Sequence, residues 1–239
     1  MRKLFKNLWI LRSLTSSVYF NFHYLPFKQA IKLPILLYKP KFIRCKGKVS
    51  INSSKNKITT GMIILGTYDV SLYQNNGFVF ENNGDIVFEG TCRIGNNSAL
   101  SIGETGKVVF GDNFNATTSL KIVSYKEIIF EKNVLCGWEC FFCDTDFHRV
   151  TMENGTEQPK GYGNIKIGEG CWLGFKSIVL KSTFLPPHCI VAANSLLNKK
   201  YNIPPKSLLA GQPAEIRNVG VYRNPDNDTI EYNSSLNEG

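Results

Sequence analysis

The sequence predicts an all-β protein, a parallel β-helix built from hexapeptide repeats, and three observations predict it. Aliphatic residues recur at an unbroken spacing of six between residues 165 and 200, and a small residue follows each of the first five by four places. A helix or a flat strand cannot produce this pattern, because their side-chain periods are 3.6 and 2. A period of six with one aliphatic and one small inward position is typical of hexapeptide coils, three hexapeptides to a coil. The aliphatic positions are Ile167, Leu173, Val179, Leu185, Val191 and Leu197, and the small ones are Cys171, Ser177, Thr183, Cys189 and Ser195.

The same repeat extends towards the N-terminus with one interruption. Similar tetrads at 86–89, 108–111 and 128–131 are spaced by about one coil, but the next, at 165–168, comes 37 residues after the third. We therefore predict a β-helix over residues 84–200 with one inserted loop at about 149–164. The six-residue frame running through Phe130, Cys136, Phe142 and His148 places the opening of the loop just after His148. A turn and a polar tail are predicted for residues 201–239.

The N-terminal part differs in charge from the rest of the chain. Residues 1–68 hold 13 of the 28 Lys and Arg and no Asp or Glu, whereas all 19 Asp and Glu follow. We predict a basic amphipathic segment over 1–41, helical within 1–24, and irregular capping coils over 42–83. Contact of residues 1–41 with an anionic membrane surface and a solvated face near a subunit contact are both compatible with this charge.

Cysteine usage and hydropathy indicate the cytoplasm, with a peripheral position on the inner face of the membrane as one option. The seven cysteines are odd in number, and several occupy inward repeat positions as small fillers. Residues 136, 140 and 143 resemble a metal cluster in spacing only, since two of the three point inward, so no metal is expected. The uncharged stretch Ser13–Phe27 is too short and too polar to span a membrane.

His148 is the candidate catalytic residue. It is one of three histidines, lies at the mouth of the predicted loop, and follows Asp144 and Asp146 within four residues. Imidazole is the side chain best suited to accept a proton near neutral pH, which favours a general base.

Five features of the sequence carry a family resemblance. The hexapeptide run, the stretches at 171–174, 192–195 and 210–214, and Asp-x-Asp-x-His before a loop resemble the left-handed β-helix acyltransferases over about 84–220. The maltose, galactoside and nodulation-factor O-acetyltransferases and their capsule and lipopolysaccharide relatives are the most similar. The resemblance implies left-handed coils, a homotrimer with active sites between subunits, acetyl-CoA as co-substrate and His148 as base.

The resemblance also implies roles for individual residues. Gly174 and Ala193 would contact the pantetheine arm, and a backbone N–H near Gly174 would bind the oxyanion. Lys199 or Arg217 would meet a coenzyme phosphate. Asp146 would orient the imidazole, although the repeat frame points it inward, and Asp144 would face outward towards the acceptor. The implied coenzyme residues are Trp172, Gly174, Ala193, Asn198, Lys199 and Arg217, with Trp172 equally compatible with a packing role.

Departures from the family pattern indicate a different acceptor. The sugar acetyltransferases carry Asn and Asp around the positions of Thr117 and Tyr125, and Lys or Arg where this chain has Glu215. With the basic N-terminus, this favours a larger, membrane-bound glycan acceptor of the capsule, lipopolysaccharide or exopolysaccharide type. The expected function is O-acetylation of a sugar hydroxyl.

Two other functions are compatible with the sequence. A sugar-nucleotide N-acetyltransferase would also use a lone histidine, but the Gly-rich phosphate loop of a nucleotide-binding domain is missing before residue 84. A non-catalytic β-helix scaffold would not depend on His148. A γ-type carbonic anhydrase needs three zinc-binding histidines, and nucleic acid is not an expected partner because the basic segment matches no reader motif.

Overall fold

The fold was derived from a computed structural model, which describes residues 13–52, 57–68, 70–156 and 160–227. The strands form three sheets of nine, seven and six strands, parallel except for the last pair, and successive strands of the chain enter the three sheets in turn until the last two. The predicted fold class, an all-β parallel β-helix of hexapeptide coils, is therefore confirmed.

Two short helices precede the coils, namely α1 (Leu14–Tyr24) and α2 (Phe27–Ala30). Strands of the first three coils are β1 (Ile35–Leu37), β2 (Pro40–Cys45), β3 (Lys48–Ile51), β4 (Ile63–Thr67), β5 (Phe78–Asn82), β6 (Asp85–Phe88), β7 (Cys92–Gly95), β8 (Ser98–Ile102) and β9 (Lys107–Phe110). The next two coils comprise β10 (Phe114–Ala116), β11 (Lys121–Ser124), β12 (Ile128–Phe130), β13 (Leu135–Cys136), β14 (Phe141–Cys143) and β15 (Ile165–Ile167). The last strands are β16 (Trp172–Leu173), β17 (Ile178–Leu180), β18 (Phe184–Leu185), β19 (Ile190–Val191), β20 (Leu196–Leu197), β21 (Ser207–Gly211) and β22 (Ala214–Val219).

The interior is a set of stacked columns, one residue from each coil. All six aliphatic residues of the 165–200 frame are fully buried, and the five small residues are buried beside them at the corners. Aromatic rings fill the same column in earlier coils, where Phe110 stacks on Phe88 at 5.3 Å and on Phe130 at 5.5 Å between ring centroids. The six-residue frame read from the sequence is therefore the core of the molecule.

Coils begin earlier than the visible repeat. Strand β1 starts at Ile35 and pairs with β4, so residues 42–83 contribute strands to the same three sheets as residue 84 onwards. The repeat is hard to see there because longer connections separate the strands, including residues 68–77 between β4 and β5.

Helix α1 covers the N-terminal end of the β-helix. Strand β1 is the edge of the nine-stranded sheet, and its outward N–H groups would otherwise lack partners. Side chains four residues apart on the helix meet backbone groups two residues apart on the strand, because each of these separations covers about 6–7 Å. The donors and acceptors are Lys39 N to Ser13 Oγ (2.8 Å), Leu37 N to Ser17 Oγ (2.9 Å), Ile35 N to Asn21 Oδ1 (3.1 Å) and Asn21 Nδ2 to Ile35 O (2.7 Å).

The predicted N-terminal helix is thus only partly testable. Its C-terminal half corresponds to α1, whereas the part predicted over residues 1–12 lies outside the described residues. At the other end, β21 and β22 form an antiparallel hairpin on the edge of the same sheet. In the described part of the chain, no helix is long and apolar enough to cross a membrane.

The inserted loop opens five residues before the predicted position. The chain leaves the sheet after Cys143 and returns at Ile165, so the loop spans 144–164 rather than 149–164. Thr145 and Tyr162 pair as an isolated antiparallel bridge at its base. The expectation that His148 continues the inward frame is wrong, because Asp144 already turns the chain out of the coil and His148 is exposed.

Candidate active site

A cavity of about 490 Å³ lies between the 144–164 loop and the adjacent coils. It sits at the edge of the β-helix where the seven-stranded sheet passes into the six-stranded one. We call this edge the loop edge. The cavity is lined by Tyr125, Thr145, Asp146, Phe147, His148, Arg149, Val150, Lys160, Gly161, Tyr162 and Lys181.

His148 is presented by a tightly folded loop base. Gly161 accepts a hydrogen bond from the backbone N–H of Asp146 at 2.7 Å. A Cβ atom at Gly161 would lie 3.2 Å from the carbonyl oxygen of His148, so the two sides of the loop are in close contact. Thr145 Oγ1 accepts from the N–H of Phe147 at 3.1 Å, which supports the turn immediately before His148. The imidazole is therefore placed on the cavity wall by a short, hydrogen-bonded turn.

Asp146 carries the exposed carboxylate of the site. Its side chain is 43% exposed and forms an ion pair with Lys181, which follows β17 in the next coil. The expectation that Asp146 points inward is wrong, because the chain has left the repeat frame by that residue. The ion pair joins the loop to the body of the β-helix beside His148.

Asp144 is fully buried, and the expectation that it faces outward is also wrong. Its carboxylate accepts from the N–H of Tyr125 at 2.6 Å, from the N–H of Lys126 at 2.9 Å and from Ser124 Oγ at 3.0 Å. These donors belong to the corner of the preceding coil, where the backbone turns between two sheets. The carboxylate thus satisfies a turn that would otherwise leave polar groups without partners.

Two tyrosines form the aromatic part of the cavity wall. The rings of Tyr125 and Tyr162 lie 5.1 Å apart, and the ammonium groups of Lys126 and Lys160 lie 5.8 Å and 5.9 Å from the ring of Tyr162. Sequence reasoning did not assign a role to Tyr162 or Lys181. Lys181 follows Val179 by two places, as Asp144 follows Phe142, so alignment of the coils by their frame would have placed it at the loop edge.

The predicted coenzyme residues lie on two edges of the β-helix. Gly174 and Ala193 lie at the edge between the nine- and seven-stranded sheets, whereas Asn198 and Lys199 follow β20 at the loop edge. Trp172 points outward from β16 and is 39% exposed. One chain therefore does not bring all of these residues to a single groove.

Gly174 is needed for contact between coils. A Cβ atom there would lie 2.8 Å from the N atom of Ala193 and 2.9 Å from the carbonyl oxygen of Val191. Its own N–H donates to Val191 at 2.8 Å. The N–H of Gly174 itself is therefore used between coils, and the expected oxyanion donor near Gly174 stays a prediction.

The two predicted phosphate-binding cations differ in their surroundings. Lys199 Nζ lies 2.6 Å from Oε1 of Glu215, the residue that departs from the family pattern. Arg217 is exposed on β22, and its guanidinium lies within 3.4 Å of the position of a Cβ atom at Gly211. Lys199 is thus partly neutralised in this chain, and of the two predicted phosphate contacts Arg217 is the one without such a carboxylate beside it among the ion pairs of the described residues.

The cysteines near the loop are not poised as nucleophiles. Cys136 and Cys140 are fully buried, and burial raises the pKa of the Cys143 thiol, with Asp144 and Asp146 adding to the effect. Cys143 donates to the carbonyl of Thr145 at 3.0 Å. No group of three metal-binding side chains occurs within the described residues.

A second cavity, of about 450 Å³, lies at the other edge, where residues 70–77 fold over the coils. It is lined by Leu72, Tyr73, Trp138, Glu139 and Phe175. Tyr73 donates to Glu139 Oε1 at 2.6 Å, and partial burial together with that bond raises the pKa of Tyr73 to about 12. The hydrogen bond between Tyr73 and Glu139 could not be predicted from the sequence, because residues 68–77 lack the repeat.

No family model matches the chain. An uncharacterized 24.8 kDa protein in the cps region of Klebsiella pneumoniae is 29% identical over 189 residues, which are 77% of this chain and 82% of that protein. The probable acetyltransferase Rv3034c of Mycobacterium tuberculosis is 31% identical over 115 residues, 46% of this chain and 37% of that protein.

Similar solved structures are also acetyltransferases. They include the polySia-specific acetyltransferase NeuO, with a TM-score of 0.44, 12% identity and coverage of 82% of this chain and 81% of that chain. For the polysialic acid O-acetyltransferase OatWY the TM-score is 0.41 and the identity 18%, with coverage of 83% of this chain and 94% of that chain. For galactoside acetyltransferase in complex with coenzyme A the TM-score is 0.40 and the identity 17%, with coverage of 90% of this chain and 82% of that chain. The 31% identity to a probable acetyltransferase over 115 residues supports the resemblance to acetyltransferases that the sequence motifs indicate.

Proposed function

We propose that the chain is an acetyl-CoA-dependent O-acetyltransferase that modifies a sugar hydroxyl of a surface glycan or its precursor. The observation that carries the proposal is the exposed His148 on the wall of the loop cavity, with Asp146 and Lys181 beside it. A relative named as a probable acetyltransferase and a relative from a cps region support the reaction class and the glycan acceptor.

His148 acts as the general base. Acetyl-CoA supplies the acyl group as a thioester. The imidazole takes the proton of the sugar hydroxyl as its oxygen bonds to the acyl carbon, and returns the proton to the sulfur when the carbon–sulfur bond breaks. The ion pair between Asp146 and Lys181 holds the loop against the coil and so fixes the position of the imidazole. The raised pKa of the Cys143 thiol beside the loop is consistent with direct transfer and no covalent enzyme intermediate.

The outer surface offers residues that fit the coenzyme. Trp172 and Ala193 present exposed surface for the pantetheine arm, and Arg217 presents a cation for a phosphate. Because these residues and His148 lie on different edges of one chain, a complete site needs two copies. We therefore include a homotrimer in the proposal, with each loop edge facing the coenzyme-binding edge of a neighbour.

The test is acetyl transfer measured with purified full-length chain, acetyl-CoA and a panel of glycans and free sugars. His148→Asn keeps the size and polarity of the side chain but removes the base, so we expect the rate to fall about 10²–10⁴-fold. Coenzyme binding, measured by calorimetry, should change little. His23→Gln is the matched control, because His23 lies on α1, and it should keep full activity.

Either of two results would overturn the proposal. One is an unchanged transfer rate in His148→Asn, which would mean that the cavity around His148 does not catalyse the transfer. The other is transfer to an amino sugar nucleotide in place of every hydroxyl acceptor, which would identify an N-acetyltransferase instead.

A further inference from the structure

The outer surface of α1 and α2 is unusually apolar. Five bulky side chains there, which we call the α1–α2 face, point away from the coils. Phe27 is 69% exposed, Ile31 is 61% exposed, and the rings of Phe22 and Phe27 touch each other at 6.0 Å between centroids. The face consists of Leu14, Val18, Phe22, Phe27 and Ile31.

These side chains are not required for the contact of α1 with the coils. Helix α1 is docked mainly by its polar side, through Ser17, Asn21 and the buried ring of Phe20. Phe20 packs edge-on against Phe80 at 5.0 Å inside the first coils. The helix therefore buries the polar side chains of Ser17 and Asn21 together with Phe20, while the bulky apolar side chains of the α1–α2 face stay outside. A contiguous exposed apolar surface of this kind marks a contact site rather than a core.

Exposed lysines surround the face. Lys28, Lys32 and Lys41 lie on or next to α2 and β2, and none of them pairs with a carboxylate among the described residues. Arg44 is paired, with Glu81 at 3.7 Å. Since residues 1–68 contain no Asp or Glu, all the charged side chains that this segment itself contributes are positive.

We propose that the α1–α2 face docks on an anionic lipid membrane, with its apolar side chains in the interface and its lysines at the headgroups. Apolar side chains flanked by Lys are the composition that binds such surfaces. A second copy of the chain is a poorer occupant, because a twofold contact would bring the same lysines face to face. This inference does not depend on the proposed catalytic activity.

The test is co-sedimentation of the full chain with vesicles of phosphatidylglycerol and phosphatidylcholine in equal parts, and with phosphatidylcholine alone. We expect binding to the mixed vesicles that weakens as salt is raised. The variant Phe22→Ser/Phe27→Ser/Ile31→Ser should bind at least about tenfold more weakly, and Lys28→Gln/Lys32→Gln/Lys41→Gln should lose a similar factor.

A matched control lies at the other end of the β-helix. Ile216, Val219 and Tyr222 are 42–52% exposed, and the variant with serine at all three should bind as the unchanged chain does. Circular dichroism and thermal unfolding establish that each variant is folded. Equal binding by all four proteins would overturn the proposal. So would a drop in oligomeric mass by light scattering, without loss of vesicle binding, in the first variant, which would make the face a contact between copies.

Discussion

At the scale of single residues, Asp144 and Asp146 have opposite environments although only one residue separates them. Asp144 is buried with three donors at 2.6–3.0 Å, and Asp146 is exposed and paired with Lys181. We expect Asp144→Asn to lower the free energy of unfolding by about 2–3 kcal/mol, because the amide turns an N–H₂ group towards donors that need an acceptor. Asp146→Asn should cost less than about 1 kcal/mol, as is usual for a solvated ion pair.

Denaturant unfolding of the two variants measures this difference. If Asp146→Asn proved the more destabilising, the assignment of Asp144 to the corner would be wrong. Under the proposed function the order reverses for activity: Asp146→Asn should slow acetyl transfer at unchanged stability, since the loop loses its link to Lys181.

The residue types of the site were largely predictable, but their directions were not. His148 stood out by its rarity and its place before a loop. The inward or outward direction of Asp144 and Asp146 was read from the six-residue frame, and the frame ends at Cys143 because the Asp144 carboxylate caps the preceding corner. A frame extrapolated into an insertion reverses side-chain directions, because nothing in the loop maintains the period.

At the scale of elements, α1 acts as a cap through a polar ladder on β1. Asn21 satisfies both the N–H and the C=O of Ile35 and is fully buried. We expect Asn21→Leu to destabilise the protein by about 1–3 kcal/mol, because two backbone groups lose their partners and stay buried. The readout is the midpoint of thermal unfolding, together with hydrogen exchange at Ile35 and Leu37.

Thr15→Ala serves as the control for that substitution. Thr15 is exposed on the same helix, so its removal should leave the unfolding midpoint within a degree or two. Unchanged exchange at Ile35 in Asn21→Leu would contradict the capping role of α1.

Helix α1 also shows which element the sequence could not assign. The sequence predicts an amphipathic helix within residues 1–24 without identifying its buried side, which in globular proteins is usually the apolar one. The coils present an unpaired strand edge to the helix, so hydrogen-bonding side chains are buried and apolar ones remain outside. The side of α1 that faces the coils follows only from the position of the β1 edge. The sequence around β1 has no visible repeat from which that edge could be predicted.

At the scale of the whole molecule, the coils form a nearly one-dimensional stack in which each contacts its two neighbours. The period of six predicted this stack from residue 84 onwards, since every coil there repeats the same inward positions. For residues 42–83 it predicted only irregular capping coils, and it did not predict strand β1 at Ile35–Leu37, because connections of differing length obscure the period there. The free energy of unfolding of such a stack is approximately the sum of the contacts between adjacent coils. A defect at one corner therefore weakens the contacts of that coil with its neighbours.

Glycine at the corners sets how closely coils approach. A Cβ atom at Gly111 would lie 2.5 Å from the carbonyl carbon of Glu131 and 2.6 Å from the N of Lys132 in the next coil. Neither atom can move without shifting the backbone of that coil. We therefore expect Gly111→Ala to lower the free energy of unfolding by about 1–3 kcal/mol, as for other overpacked sites.

Gly103→Ala is the matched control. A Cβ atom at Gly103 would lie an ordinary 3.5 Å from Ser124 O. Because alanine reduces the freedom of the unfolded chain, this substitution should be neutral or stabilising by up to about 1 kcal/mol. Urea unfolding of both variants, read by circular dichroism, gives the comparison. Equal midpoints for the two would mean that coil spacing is set by the interior side chains rather than by the corner backbone.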